Sequence, residues 1–273
     1  MSAVNRIKRI IRWLLKRWLW VSLWLFLFIP IISFVLVNVV LLTLYYWPPD
    51  VDDIDYRQFI SRQPRAILMA HGATGDTKAW VDPLAEIYRQ QGVDAQLMPI
   101  DWSQYAKNPY LCATKGTAIG ERIGQQLAQS QFLESVHLIG HSCGGFVIYN
   151  ACLELKKQKP TVLVQTTYLD PVSIYGAERY FGVEHFGDCA DYSDAYVDTE
   201  DQVVGSNQAL VHAQTYDVTE ERRAQGYTGL PHNWPTVFYQ QAVKQQALTT
   251  LFDDPSLVDK EPEENLIPLR LQK

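Results

Sequence analysis

The chain has 273 residues, 47% of them hydrophobic and 20% charged, with 24 Lys and Arg against 30 Asp and Glu. That composition fits one ordinary globular domain plus an extra apolar segment. Six of the bases (Arg6, Lys8, Arg9, Arg12, Lys16 and Arg17) stand at the very front; the remainder holds 18 bases against 30 acids, a net of −12. So acidic a globular part argues against nucleic-acid binding, which needs a basic face, and gives no electrostatic pull toward anionic lipid.

Residues 1–17 form a basic segment without a single acid. From Trp18 to Trp47 there is no charge, and only Ser22, Ser33, Asn38 and Thr43 are polar. This run exceeds the roughly 20 residues needed to cross a bilayer and is too long for the core of a cleaved signal peptide, about 7–15 residues. Trp18, Trp20 and Trp24 near one end, and Tyr45, Tyr46 and Trp47 at the other, match the aromatic belts of a spanning helix. Pro30 is expected to kink that helix; a hairpin turning there would leave arms too short to cross. The leading bases keep the N-terminus in the cytoplasm and export the rest. Pro48-Pro49-Asp50 stops the helix, residues 48–64 read as a linker, and residues 65–273 as one globular domain.

From residue 65 onward, strand and helix patterns alternate. Arg65–Ala70 reads as a strand leaving into His71-Gly72, followed by a helix from Trp80 to Gln91 and a strand from Asp94 to Ile100. Apolar residues Ala118, Ile119, Ile123 and Leu127 mark a helix over 114–130. Val136–Ile139 is a buried strand, Gly145–Lys157 a helix, and Val162–Leu169 a strand ending in Asp170-Pro171. Acidic, irregular stretches follow, then a strand at Leu210–Tyr216 and a helix from Thr236 to Leu251. The alternation predicts an α/β fold with a mainly parallel sheet covered by helices on both faces.

Between strand and helix stands Gly140-His141-Ser142-Cys143-Gly144. A serine between two glycines on such a tight turn is a nucleophile elbow: Gly140 and Gly144 let strand and helix meet closely while the Ser142 hydroxyl projects at the sheet edge. Serine needs a base, and the base needs a carboxylate to fix its tautomer. Of the later histidines, His212 falls in a predicted strand and His185 in a loop shortly after Asp170. His232 lies in the loop before the last helix and is the expected base. Asp170, at a strand end and pushed toward an extended conformation by Pro171, is the expected acid; Asp198 and Asp201 are its rivals. The oxyanion donors are expected to be the backbone N–H groups of Cys143 and of Ala73, in the loop His71-Gly72-Ala73-Thr74-Gly75. His71 is expected to organise that loop. Cys143 and Cys152 are expected as buried thiols, and Cys112 and Cys189 as one disulfide in an exported domain. No CxxC pair suggests zinc.

These segments resemble the pancreatic-type triacylglycerol lipases of the α/β-hydrolase superfamily. Ile100-Asp101-Trp102-Ser103, Val136 to Ser142, Leu169-Asp170-Pro171 and Asp191 to Asp198 are similar to stretches of that family in the same order, over roughly residues 66–240. The resemblance implies an α/β-hydrolase fold, an acyl-serine mechanism, Asp170 as acid and acyl lipids as substrates. Cys143 departs from the family's leucine. The family's lipid-binding β-sandwich is not matched, and a lid between Gly205 and Pro231 would be short. A family calcium site would use Asp191 and Asp194, but its glutamate is unmatched; a solvated acidic loop, with no cofactor or metal, is the reading preferred here. The expectation is therefore a membrane-anchored ester hydrolase acting on a lipid or small ester. The alternatives are a non-catalytic binding or scaffold protein on the same fold, or a thioesterase or peptidase using the same triad. Oligomeric state is not readable from the sequence.

Overall fold

The computed structural model describes residues 3–46, 50–263 and 265–271, and the chain divides into two compact units, 1–48 and 49–273. The first unit is one helix, α1 (Ala3–Tyr46), which runs through Pro30 without a break, so the hairpin alternative is not what forms. By length and composition the stretch Arg6–Thr43 is able to cross a membrane. Its large apolar side chains from Ile7 to Leu42 stand exposed, a surface only an apolar medium would cover without cost. Two of its polar side chains turn back onto the helix: Asn38 Nδ2 donates to the Phe34 carbonyl and Thr43 Oγ1 to that of Val39, both at 2.7 Å. Backbone partners of this kind remove the need for water in hydrocarbon. Trp47, Pro48 and Pro49, expected as part of a belt and as the helix stop, lie outside the described residues.

The second unit is built on seven strands, β1 (Arg65–Ala70), β2 (Gln96–Ile100), β3 (Ser135–His141), β4 (Leu163–Leu169), β5 (Tyr192–Val197), β6 (Gln214–Asp217) and β7 (Ile267–Pro268). They pair in the order β2-β1-β3-β4-β5-β6-β7, every pair parallel. The central strands are buried nearly end to end, as parallel strands covered on both faces must be. Both edge strands carry a proline, Pro99 and Pro268. Helices α4 (Cys112–Gln129) and α5 (Gly144–Gln158) pack on one face, with Ile119, Ile123, Phe146 and Val147 in its core. Helices α2 (Val81–Gln90) and α8 (Trp234–Lys244) cover the other face through Leu84, Trp234 and Phe238. Short helices α3 (Ser103–Ala106), α6 (Phe181–His185) and α7 (Thr219–Gln225) fill connections.

After β1 the chain crosses to β2 on one side; after β3 it moves to β4 on the other. The strand order therefore reverses between β1 and β3, and a crevice forms at the carboxyl ends of these two strands. Ser142 follows β3 and Gly72 follows β1, so the fold delivers both to that crevice.

Three expectations are corrected here. Residues 50–64 are not a free linker: Val51, Tyr56 and Phe59 are buried in the α4/α5 face of the core, because apolar side chains at these spacings gain more from burial than from a tether's freedom. The stretch after Asp170, expected as irregular until Leu210, contains the fully buried strand β5, whose polar residues are satisfied across the sheet: Ser193 pairs with Thr166 at 2.8 Å, and Thr167 donates to Asp194 at 2.5 Å. The expected strand at 210–216 is β6 at 214–217, leaving His212 in the preceding turn, and the expected lid interval Gly205–Pro231 holds β6 and α7.

Candidate active site

The elbow is tight in backbone terms. A Cβ at Gly140 would come within 2.6 Å of the Gly144 carbonyl oxygen, and one at Gly144 within 2.4 Å of the Ala70 carbonyl oxygen. No side chain fits at either position. Ser142 has φ +54°, a left-handed conformation that costs a non-glycine residue on the order of 1–3 kcal/mol and persists where the surroundings impose it. Its amide donates to the Leu169 carbonyl at 3.0 Å and its own carbonyl accepts from Gly145 at 3.0 Å. The turn is thereby pinned to β4 on one side and to α5 on the other.

The loop after β1 presses on the elbow: a Cβ at Gly72 would lie 2.8 Å from the Ser142 Cβ. His71 organises this loop, as its position implied. Its Nδ1–H donates to the Gly72 carbonyl at 2.9 Å, its Nε2 accepts the Trp102 amide at 3.3 Å, and its carbonyl accepts Trp102 Nε1 at 2.8 Å. Burial lowers its pKa, which keeps the ring neutral for both roles. Thr74 donates to the Ala106 carbonyl at 2.8 Å and Gly75 back to that of Gly72 at 3.4 Å. The amides of Ala73 and Cys143, between and beside these anchored groups, donate to no acceptor among the described residues.

His232 lies in the turn before α8, with its side chain 12% exposed. Its Nδ1 is 2.8 Å from Asp201 Oδ2 and 3.5 Å from Asp170 Oδ2. Both rival carboxylates thus face the histidine: Asp201 makes the shorter hydrogen bond, and the buried Asp170 Oδ2 stands farther off as an ion-pair partner. Asp170 is not extended before Pro171, as expected, but has φ +43°. Its amide stays on the sheet, donating to Tyr196 at 2.8 Å, while the left-handed turn carries the carboxyl toward His232; aspartate tolerates that region better than most residues. Asp198 is elsewhere, paired with Arg222 and Thr219.

Burial pushes the Asp170 carboxyl up to about 7, against the pull of His232. Burial also acts upward on Asp201, but hydrogen bonds from His232 and Ser206 outweigh it and hold the group down at about 2. Burial alone would lower His232; bonds and charge from Asp170 and Asp201 win and raise it to about 9. The nearby Asp201 charge pushes Asp170 in the same direction as burial, as a smaller effect. Asp170, Asp201 and His232 offer ligand atoms within 4.8 Å of one another, a set a divalent cation could engage; here Nδ1 is engaged with Asp201.

Sequence reasoning missed three supporting residues. His141 Nε2 donates to the His232 carbonyl at 2.9 Å, and the two rings stand 4.8 Å apart. Burial holds the His141 pKa down at about 3, so it serves as a neutral donor. Asn207, at φ +59°, gives its amide to Asp170 Oδ1 at 3.0 Å and its Nδ2 to the Asp201 carbonyl at 2.6 Å. Ser206 Oγ donates to Asp201 Oδ2. His141 carried a legible signal, since it sits inside the elbow; Ser206 and Asn207 carried none.

The cysteines pair differently from the sequence expectation. Cys112 is bonded to Cys143 and Cys152 to Cys189, so there is no Cys112–Cys189 bridge and Cys143 and Cys152 are not thiols. Spacing cannot fix connectivity among four cysteines; here the start of α4 brings Cys112 to Cys143 at the start of α5, and Cys152 within α5 meets Cys189 in the turn after α6. The two aspartates of the calcium expectation do not meet. Asp191 binds Lys156 and the Val164 amide, whereas Asp194 lies within the sheet on Thr167 and Tyr196. His185 stands beside Asp188 at 3.5 Å, away from the elbow.

No known family profile and no curated protein sequence matches the chain. Among solved structures, it is similar to a protein assigned to the alpha/beta hydrolase superfamily from Xanthomonas campestris, at 16% identity and TM-score 0.45, over 68% of this chain and 100% of that one. A lipase-esterase related protein from Clostridium acetobutylicum aligns at 12% identity and TM-score 0.44, over 68% and 94%. A protein assigned as a cell-surface hydrolase from Lactobacillus plantarum aligns at 13% and 0.48, over 70% and 94%. Likeness at this level goes no further than chain topology. The strand order, the reversal between β1 and β3 and the elbow at the end of β3 are those of an α/β-hydrolase fold.

Proposed function

We propose that the chain is a membrane-anchored serine hydrolase that cleaves carboxylic esters through an acyl-serine intermediate, with acyl lipids as its substrate class. One observation carries the reading: the residue before a serine held at φ +54° on a strand-to-helix elbow, His141, is bonded to the carbonyl of His232, whose Nδ1 is fixed by a buried carboxylate at 2.8 Å. With Nδ1–H donating to Asp201, the His232 Nε2 lone pair is free to take the serine proton. Ser142 Oγ attacks the ester carbonyl and the oxyanion forms against the Ala73 and Cys143 amides. His232 returns the proton to the leaving alcohol; water then repeats the sequence to release the acid. Asp201 orients His232, with Asp170 as a second, buried carboxylate behind it.

The lipid substrate class is supported by the resemblance of the elbow and Leu-Asp-Pro segments to pancreatic-type lipases and by the apolar helix α1. An exported catalytic unit is supported by the basic N-terminus and by two disulfides, bonds that persist in oxidising compartments and are rare in the cytosol.

Two measurements test this. A fluorophosphonate probe should label the wild type and not Ser142→Ala, and a screen of esters, glycerides and phospholipids should give turnover with the wild type alone. Hydrolysis by a folded Ser142→Ala variant would overturn the mechanism; preference for a thioester or peptide would replace the substrate class. Protease added to intact cells should digest the catalytic unit. Protection until lysis would reverse the topology.

A further inference from the structure

The bond between Cys112 and Cys143 joins the residue after Ser142 to the first residue of α4. Helix α4 lies against α5 along glycines one turn apart. A Cβ at Gly120 would meet the Val147 carbonyl oxygen at 2.3 Å, and one at Gly124 that of Ala151 at 2.6 Å. The helices therefore touch backbone to backbone, and the disulfide closes the elbow end of that seam. From Cys112 the chain runs back through exposed Lys107, Asn108, Pro109 and Tyr110 to Ala106 and Trp102. These last two hold the loop after β1: Ala106 accepts the Thr74 amide, and Trp102 donates to both the ring and the carbonyl of His71. Residues 102–112 thus form a strap. One end supports the loop that carries the Ala73 N–H; the other is covalently attached to the residue that supplies the Cys143 N–H. Between the ends, four consecutive exposed residues make no core to hold the strap in register.

We propose that the Cys112–Cys143 disulfide is a positioning element for the oxyanion hole, fixing the Ala73 and Cys143 amides relative to one another; this rests on the hydrolase reading above. Oxyanion donors act on the transition state, and removing one typically costs about 10²–10³-fold in kcat. Misplacement by about 1 Å costs on the order of 10²-fold. Loss of the bond is therefore expected in kcat, with KM little changed.

The molecule supplies its own control. The bonds Cys112–Cys143 and Cys152–Cys189 span 31 and 37 residues, so loop-closure entropy makes their removal similarly costly to the fold. Only the first touches the elbow turn. The full-length protein in detergent would be compared as wild type, Cys112→Ala/Cys143→Ala and Cys152→Ala/Cys189→Ala, with turnover of a p-nitrophenyl ester normalised to serines titrated by a fluorophosphonate. The first double variant should lose at least about 10-fold in kcat per titrated serine at unchanged KM. The second should melt earlier yet keep its kcat within about twofold, since its bond touches neither amide. Should the first variant fail to fold, the Cys152→Ala/Cys189→Ala protein retains a single disulfide. Stepwise reduction by a phosphine should then lower kcat in proportion to the thiols released, with recovery on reoxidation. An unchanged kcat per reactive serine after loss of Cys112–Cys143 overturns the proposal and leaves the hydrolase reading intact. A wild type that neither reacts with the probe nor hydrolyses esters overturns both.

Discussion

The two sides of the crevice are held by different physics. On the elbow side, Gly72, Gly140 and Gly144 leave no room for a Cβ, and Ser142 is pinned by backbone hydrogen bonds to Leu169 and Gly145. On the acid side, Asp170, Asp201, Asn207 and His232 are fixed by side-chain hydrogen bonds and charge, drawn from segments up to 62 residues apart in sequence. Steric contact is insensitive to pH and intolerant of substitution. A hydrogen-bonded cluster with two carboxylates is pH-sensitive and partly redundant. The lesson is that Ser142 is placed by exclusion and His232 by attraction.

The largest test of that contrast is Ser142→Ala, which should lower turnover by about 10⁴–10⁶-fold while the domain stays folded, as read by steady-state rates beside a melting curve. On the attractive side, Asp201→Asn should cost about 10⁴-fold, because an amide can neither fix the tautomer nor stabilise the imidazolium. Asp170→Asn should cost no more than about 10²-fold, the size of a misplacement effect. The reverse ranking would make Asp170 the direct partner and show that the 2.8 Å bond to Asp201 is not the productive one.

Gly144→Ala should strike stability instead, by about 1–3 kcal/mol, since the new methyl meets the Ala70 carbonyl and not a yielding side chain; thermal unfolding measures it. A variant of unchanged Tm would mean that the elbow gives more readily than its contacts imply.

The pH profile sharpens the other side. His232 must be neutral to act, and its pKa is raised toward about 9, so kcat/KM should climb through an acidic limb above the ordinary histidine value of about 6.5. Asp201→Asn should move that limb to lower pH in whatever activity remains. The same shift has a stability sign: the histidine's contribution is full below about 6.5 and is lost as pH rises through about 9. The smallest effect belongs to His212→Ala, in a turn away from the crevice, which should leave both rate and stability within about 0.5 kcal/mol of wild type.

This division also explains what could be read before folding. The elbow side is contiguous in sequence: Gly140 to Gly144 and His71 to Gly75 announce tight turns because only glycine fits them. His232 was singled out by its order after Ser142 and its place before the last helix, and it lies against two of the candidate carboxylates. The choice between Asp170 and Asp201 was not, because it depends on Ser206 and Asn207 turning one carboxylate toward the ring, and on φ +43° at Asp170 overriding the ordinary preference before proline. Strand β5 escaped notice for a related reason. Its Ser193 and Asp194 look solvated in sequence, and only their cross-strand partners Thr166 and Thr167 make them interior residues. The cysteine pairing failed likewise, since Cys112 reaches Cys143 only because α4 meets α5 along Gly116, Gly120 and Gly124 and not through spacing.

The prolines in β2 and β7 have a consequence for how copies of this domain meet. Each outer strand of the sheet lacks one ladder donor, and β7 is only two residues long. A neighbouring chain arriving in extended form would find no continuous template on either flank. At high local concentration, such domains are protected from stitching their sheets together. Any assembly they form must be built through helix or loop surfaces, leaving the seven-stranded sheet as the limit of each copy.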